Sequence, residues 1–176
     1  MNTTGTDLLT QNFAVAVIRR LPYEPTDEQL TAIVAIARLA LTAPPRTAMI
    51  LRGFAGTGKS SIAGAAVNVL EQFGRKCILL APTGRAAHVL ADFADHPAMT
   101  IHRKIYRQQS YGSDNFDLAD NLHRQTVFLV DEASMIANGT TDGATFGSGR
   151  LLDDLVRYVY NAHDCRLLLV GDTAQL

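Results

Sequence analysis

Two apolar rhythms divide the chain. In residues 6–20, "TDLLTQNFAVAVIRR", Leu9, Phe13 and Val17 recur at four-residue steps, which predicts an amphipathic helix. "LPYEPT" interrupts it. Thr26 then serves as the expected N-cap of a second helix through "DEQLTAIVAIARLAL", which Pro44-Pro45 bring to an end. From there short apolar runs take over. "TAMILRGF", "KCILLAP", "TVFLVDE" and "CRLLLVGD" read as four strands. Between them "GKSSIAGAAVNVLEQF", "GRAAHVLADFA" and "RLLDDLVRYVYNA" carry helical patterns. Strands alternating with helices predict an α/β fold, with a mostly parallel sheet covered on both faces and a helix in front of it. Residues 107–121 and 137–149 read as loops. The second is rich in Gly and Thr, with little to bury, and is expected to be mobile.

The first strand–helix junction changes the picture. "GFAGTGKSS" satisfies the pattern G-x-x-x-x-G-K-[ST] through Gly53, Gly58, Lys59 and Ser60. Glycines let successive backbone N–H groups turn toward phosphate oxygens, and the following helix adds its positive N-terminal end. Lys59 brings a full charge to the β- and γ-phosphates, and the Ser60 hydroxyl is a ligand for Mg²⁺. The candidate nucleotide-binding residues of the loop are Gly53, Ala55, Gly56, Thr57, Gly58, Lys59, Ser60 and Ser61. "VFLVDEASM" ends a strand in two adjacent carboxylates. Asp131 is the candidate second ligand of Mg²⁺. Glu132 is the candidate that orients or deprotonates an attacking water; the alternative is an acid that caps the helix after it.

Composition narrows the partners. The 176 residues carry a net charge of −1 and are 47% hydrophobic, so any nucleic-acid contact rests on a local patch and not on a basic protein as a whole. Such a patch lies between Arg85 and Arg107, where Arg85, Arg103, Lys104 and Arg107 face only Asp92 and Asp95 as acids. Phe93 and Tyr106 are its candidate stacking aromatics. Cys77 and Cys165 each precede an apolar run without metal-like spacing, which suits small buried residues in a reducing compartment. No apolar run approaches a membrane span, and the start lacks the basic residues of a secretory signal, so a soluble, cytoplasmic protein is expected.

Several stretches together resemble superfamily 1 DNA helicases, in particular the RecD-like branch. They are "GFAGTGKS", "APTGRAA" (81–87), "TIHR" (100–103), "VDEASM" (130–135) and "VGDTAQL" (170–176), in that order, with "PTDEQ" (25–29) upstream. The resemblance implies a first RecA-like domain over residues 23–176, preceded by a helical segment over residues 1–22. It implies ATP and Mg²⁺ as cofactors, ATP hydrolysis coupled to movement along single-stranded DNA, and duplex unwinding. By the same resemblance Gln29 reads the adenine edge, although Thr26 and Gln29 also spell a T-x-x-Q capping box. Gln175 faces the γ-phosphate as a catalytic residue beside Lys59 and Glu132, and Asp172 helps to order that site. Thr83, Arg85, Thr100 and His102 track single-stranded DNA. A second RecA-like domain of the same parent chain is the expected partner, bringing an arginine to the cleft. On the residues alone, a nucleoside kinase and a non-catalytic, nucleotide-gated binding module are the alternatives.

Overall fold

A computed structural model describes residues 3–108, 116–136 and 146–172. Helix α1 spans Thr3–Ile18 and α2 spans Asp27–Leu41. The strands of the main sheet are β1 (Ala48–Gly53), β2 (Lys76–Ala81), β3 (Ala98–Thr100), β6 (Thr126–Val130) and β7 (Arg166–Asp172). They lie in the order β1-β7-β6-β2-β3, every pair parallel. The remaining helices are α3 (Lys59–Leu70), α4 (Gly84–Ala94), α5 (Ile101–Ile105) and α6 (Leu151–Tyr160). The four expected strands are all present, and the last lies between the first and the third. Strand β3 is the addition: three half-buried residues are too few to show a period.

Two cores flank the sheet because neighbouring strand residues point to opposite faces. Val127, Leu129, Leu168 and Val170 pack with α1, α2, α3 and α4 through residues such as Phe13, Ile36, Ile62 and Leu90. Phe128, Val130 and Leu167 pack on the other face with Ile101, Ile105, Leu155 and Val159 of α5 and α6. The strand order explains the division. The chain steps outward from β1 to β2 and β3, then returns through β6 and β7, so the helices of the return leg cover the opposite face.

Helix α1 forms as expected but with a shifted stripe. Thr10, Phe13, Ala14 and Val17 are buried, whereas Leu9 is 42% exposed. Steps of three and four residues, not four alone, keep a stripe on one face of a helix with 3.6 residues per turn. Part of the expected loop at 107–121 is instead a short antiparallel hairpin of β4 (Tyr106–Gln108) and β5 (Phe116–Leu118). Residues 137–145 of the other expected loop lie outside the described residues. Cys77 and Cys165 are both free and buried, and burial, with the Glu71 charge behind it, pushes the Cys77 thiol up to about 12.

Candidate nucleotide site

The motif residues gather at the carboxyl ends of the strands, where open α/β sheets bind ligands. After Gly53 the chain makes a tight turn: the carbonyl of Phe54 accepts from the Thr57 N–H at 3.3 Å and the Thr57 hydroxyl at 2.9 Å. Ala55 and Gly56 form the exposed tip. Gly58 is the N-cap of α3, with φ 82°, a left-handed conformation that costs a residue with a Cβ about 1–2 kcal/mol. The Lys59 ammonium folds back over the turn and donates to the carbonyls of Gly53 at 2.7 Å and Phe54 at 2.8 Å. Its charge is thus held at the mouth of the loop, where phosphate oxygens can take the place of those carbonyls. Ser61 follows in the first turn of α3, half-buried.

Two distant parts of the chain meet beside this loop. The Ser60 hydroxyl donates to Oδ2 of Asp131 at 3.4 Å, across 71 residues of sequence. The other carboxylate oxygen of Asp131 accepts from the Glu132 N–H at 2.9 Å, and the Asp131 N–H is held by the Leu80 carbonyl at 3.0 Å. Among the described residues no three His, Cys, Asp or Glu side chains cluster as a metal cage. One hydroxyl and one carboxylate suit Mg²⁺, which keeps water and phosphate oxygens as its other ligands. Glu132 is exposed and left-handed, with φ 53° and ψ 36°. It sits at the N-cap position of the 3₁₀ turn Ala133–Met135, yet its side chain makes no capping bond. The carboxylate is not used to hold that turn.

Of the two roles read for Gln29, the capping box is present in full, and part of the residue's side-chain amide is left over. Its Oε1 accepts from the Thr26 N–H at 3.0 Å, while its own N–H donates to the Thr26 hydroxyl at 3.3 Å, a complete capping box. Its Nε2 donates to the Thr57 carbonyl at 3.0 Å. One amide hydrogen and one lone pair remain for a base. Tyr23 was not legible as a neighbour of this site. Its hydroxyl lies 2.7 Å from where a Cβ on Gly58 would stand, and Gln29 Nε2 lies 2.8 Å from the same point. A cleft of about 260 Å³ opens between α2 and β1 and is lined by Gln29, Phe54 and Lys59 among others.

Where the helix after β2 and the helix after β6 leave for opposite faces, the strand ends part into a crevice. It encloses about 380 Å³ and brings Thr83 and Arg85 together with Asp131, Glu132 and Met135. Thr83 and Thr100 are helix N-caps: their hydroxyl oxygens accept from Ala86 N–H and Arg103 N–H, each at 3.2 Å. Each hydroxyl keeps its proton for donation. Arg85 and Arg103 are exposed. His102 packs its ring against Phe146 and Tyr106, with centroids 5.2 and 5.8 Å away, and burial lowers its pKa. It therefore offers a neutral ring at pH 7 and not a positive charge. Tyr106 is corrected as a stacking candidate. It is 5% exposed, and its hydroxyl donates to buried Asp154 at 2.8 Å. Phe93 stands away from the crevice, beside the phosphate loop. Asp172 is half-buried at the end of β7, in register with Gly53. Gln175 lies outside the described residues.

A phosphate loop on the first strand, a hydroxyl–carboxylate pair beside it and a parallel sheet between two helical layers define a P-loop type of α/β nucleotide-binding domain. A family model described as an AAA domain matches residues 26–176. The chain belongs to that AAA domain family. Over 129 residues, 73% of its length, it is 33% identical to the ATP-dependent RecD2 DNA helicase of Deinococcus radiodurans. The chain spans 16% of that relative's length. The expected resemblance to RecD-like helicases, like the expected fold, is borne out. No helix among the described residues is long and apolar enough to cross a membrane.

Proposed function

We propose that this domain is the ATP-hydrolysing motor of a DNA helicase, coupling hydrolysis to translocation on single-stranded DNA and to duplex unwinding. The observation that carries the reading is the meeting of Ser60 and Asp131 at the start of α3, with the uncommitted carboxylate of Glu132 next in the chain. The backbone from Gly53 to Ser61 cradles the phosphates, and Lys59 exchanges its two carbonyl partners for β- and γ-phosphate oxygens. Ser60 and Asp131 hold Mg²⁺, which when bound neutralises charge building on the transferred phosphoryl group. Glu132 positions a water and accepts its proton, a contribution that typically amounts to about 10²–10⁴ in rate.

In the same reading Gln29 offers its spare amide hydrogen to the base, Gln175 monitors the γ-phosphate, and Asp172 helps to order that site. Thr83, Arg85, Thr100 and His102 contact the strand of DNA: the threonines by hydroxyl donation, Arg85 by charge, and His102 as a neutral ring. The sharing of one crevice by Arg85 and Glu132 supports coupling between DNA and hydrolysis. A second RecA-like domain of a longer parent protein closes the site. Two buried free thiols suit a reducing cytoplasm. ATP turnover by the parent protein, measured with and without single-stranded DNA, tests the proposal. Strong stimulation is expected, and turnover indifferent to DNA would leave an ATPase that is no helicase motor.

A further inference from the structure

The phosphate loop opens sideways into a groove. A hollow of about 240 Å³ over Gly58 and Ser61 adjoins another of about 320 Å³ over Gly64 and Ala65, and Ser61 and Phe93 line both. One wall is Arg20, Leu21 and Pro22, from the segment that joins α1 to α2. The opposite wall is Phe93, near the end of α4. The floor between them is made of small residues of α3, so a flat group can lie on it.

Phe93 is seated, not merely exposed. Gly64 has no side chain, and a Cβ there would stand 3.3 Å from both Cδ1 and Cε1 of the ring. The ring edge therefore rests on bare helix backbone. Asn68 fastens the place by donating to the carbonyls of Gly64 at 3.1 Å and Ala94 at 3.0 Å. Even so, 53% of Phe93 remains exposed. A single exposed aromatic is ordinary, but this one is held in position at the rim of a phosphate cradle.

We propose that the groove takes the base of the bound nucleotide, stacked on the open face of Phe93. The inference rests on the phosphate-loop reading. Phosphates held along Gly56–Ser61 require the nucleoside to leave the loop, and the groove that shares Ser61 gives it an aromatic wall. The Tyr23 hydroxyl and Gln29 Nε2 lie 2.7 and 2.8 Å from where a Cβ on Gly58 would stand, and Gly58 lines the hollow beside Phe93, so edge recognition by Gln29 is compatible with face stacking by Phe93. Phe93 is thus a positioning residue for the nucleotide and not a platform for DNA.

The chain has no tryptophan, so F93W places a sole indole in the groove. Titration with ATP or ADP is expected to quench its emission, and tripolyphosphate, which has no base, is expected to leave it unchanged. F93A should weaken ATP binding by about 5- to 160-fold, the usual range for losing one base–aromatic stack, with tripolyphosphate affinity kept. F93L, which preserves apolar packing on Gly64, should show the same loss and guards against misfolding of the alanine variant. Wild-type ATP affinity in F93A and F93L would overturn the proposal, as would an equal loss of tripolyphosphate. Loss of ATP binding in F54A alone would move the base to the cleft between α2 and β1. If the unaltered chain binds neither ATP nor tripolyphosphate, the phosphate-loop reading falls and takes this one with it.

Discussion

Glu132 and Asp164 stand at opposite ends of the sheet and share an unusual backbone: both are left-handed, with φ 53° and 57°. Their side chains live differently. Asp164, just before β7, accepts from Arg75 at 2.8 Å with one oxygen and pairs with Arg166 at 2.8 Å through the other. Those arginines also reach back to α2 and the turn after it, Arg75 to the Leu41 carbonyl and Arg166 to that of Ala43. Glu132, just after β6, has no hydrogen-bond or ion-pair partner for its carboxylate among the described residues. The amino end of the sheet uses its charges to tie secondary structure together. The carboxyl end leaves Glu132 without such a tie and holds the Lys59 ammonium on carbonyls that a ligand can replace.

The largest effect should come from breaking the closed end. Asp164→Ala leaves two arginines, one of them 4% exposed, without their counter-ion. A loss of about 3 kcal/mol or more is expected from removing one member of such a buried group, read as a fall in the denaturation midpoint with ATP affinity unchanged in the folded protein. Acid should act in the same direction. Burial would raise the Asp164 pKa, but the Arg75 hydrogen bond and the charges of Arg166 and Arg75 outweigh it and hold the group below its usual range. Its contribution is therefore whole above about pH 4 and is lost as pH falls through the lowered value. The gap between the denaturation midpoints of the wild-type and Asp164→Ala proteins should narrow progressively as pH is lowered below about 4.

At the open end the pattern should reverse. Lys59→Ala should leave the melting temperature nearly unchanged and weaken ATP binding about 10- to 100-fold, the scale of charge-assisted hydrogen bonds. An unaltered titration would remove Lys59 from the phosphate site. The smallest effect is the most discriminating. Glu132→Gly relieves the left-handed backbone and should raise stability by up to about 1 kcal/mol while ending turnover in the parent protein. A destabilised variant would mean that the carboxylate holds structure after all.

Much of this arrangement was legible in the residues. Gly53, Gly58, Lys59 and Ser60 announce a loop between a strand and a helix, because fixed chemistry demands fixed spacing. The four longer strands show as apolar runs since the middle of a parallel sheet is buried on both faces. What stayed hidden depends on tertiary approach. Phe93 reads as a stacking aromatic of the basic stretch, and only the fold, through Gly64, brings it to the phosphate loop instead. Tyr23 lies in a linker, and only the fold sets its hydroxyl against Gly58. The caps at Thr83 and Thr100 lack the Glu or Gln three residues on that marks a capping box, so their structural duty was not visible beside the functional one. Asp164 finds Arg75 across 89 residues, a pairing that no local pattern records.

The place of β1 bears on how the molecule comes to be assembled. That strand carries the phosphate loop, yet its one strand partner among the described residues is β7. As the chain leaves the ribosome, α1, α2 and α3 can gather early, whereas β1 has no ladder to join until residues 166–172 emerge. Pairing between such distant segments is slow, because the loop between them must close first. The nucleotide site is thus completed late, and a nucleotide present at that moment would favour the closing step by binding only its product.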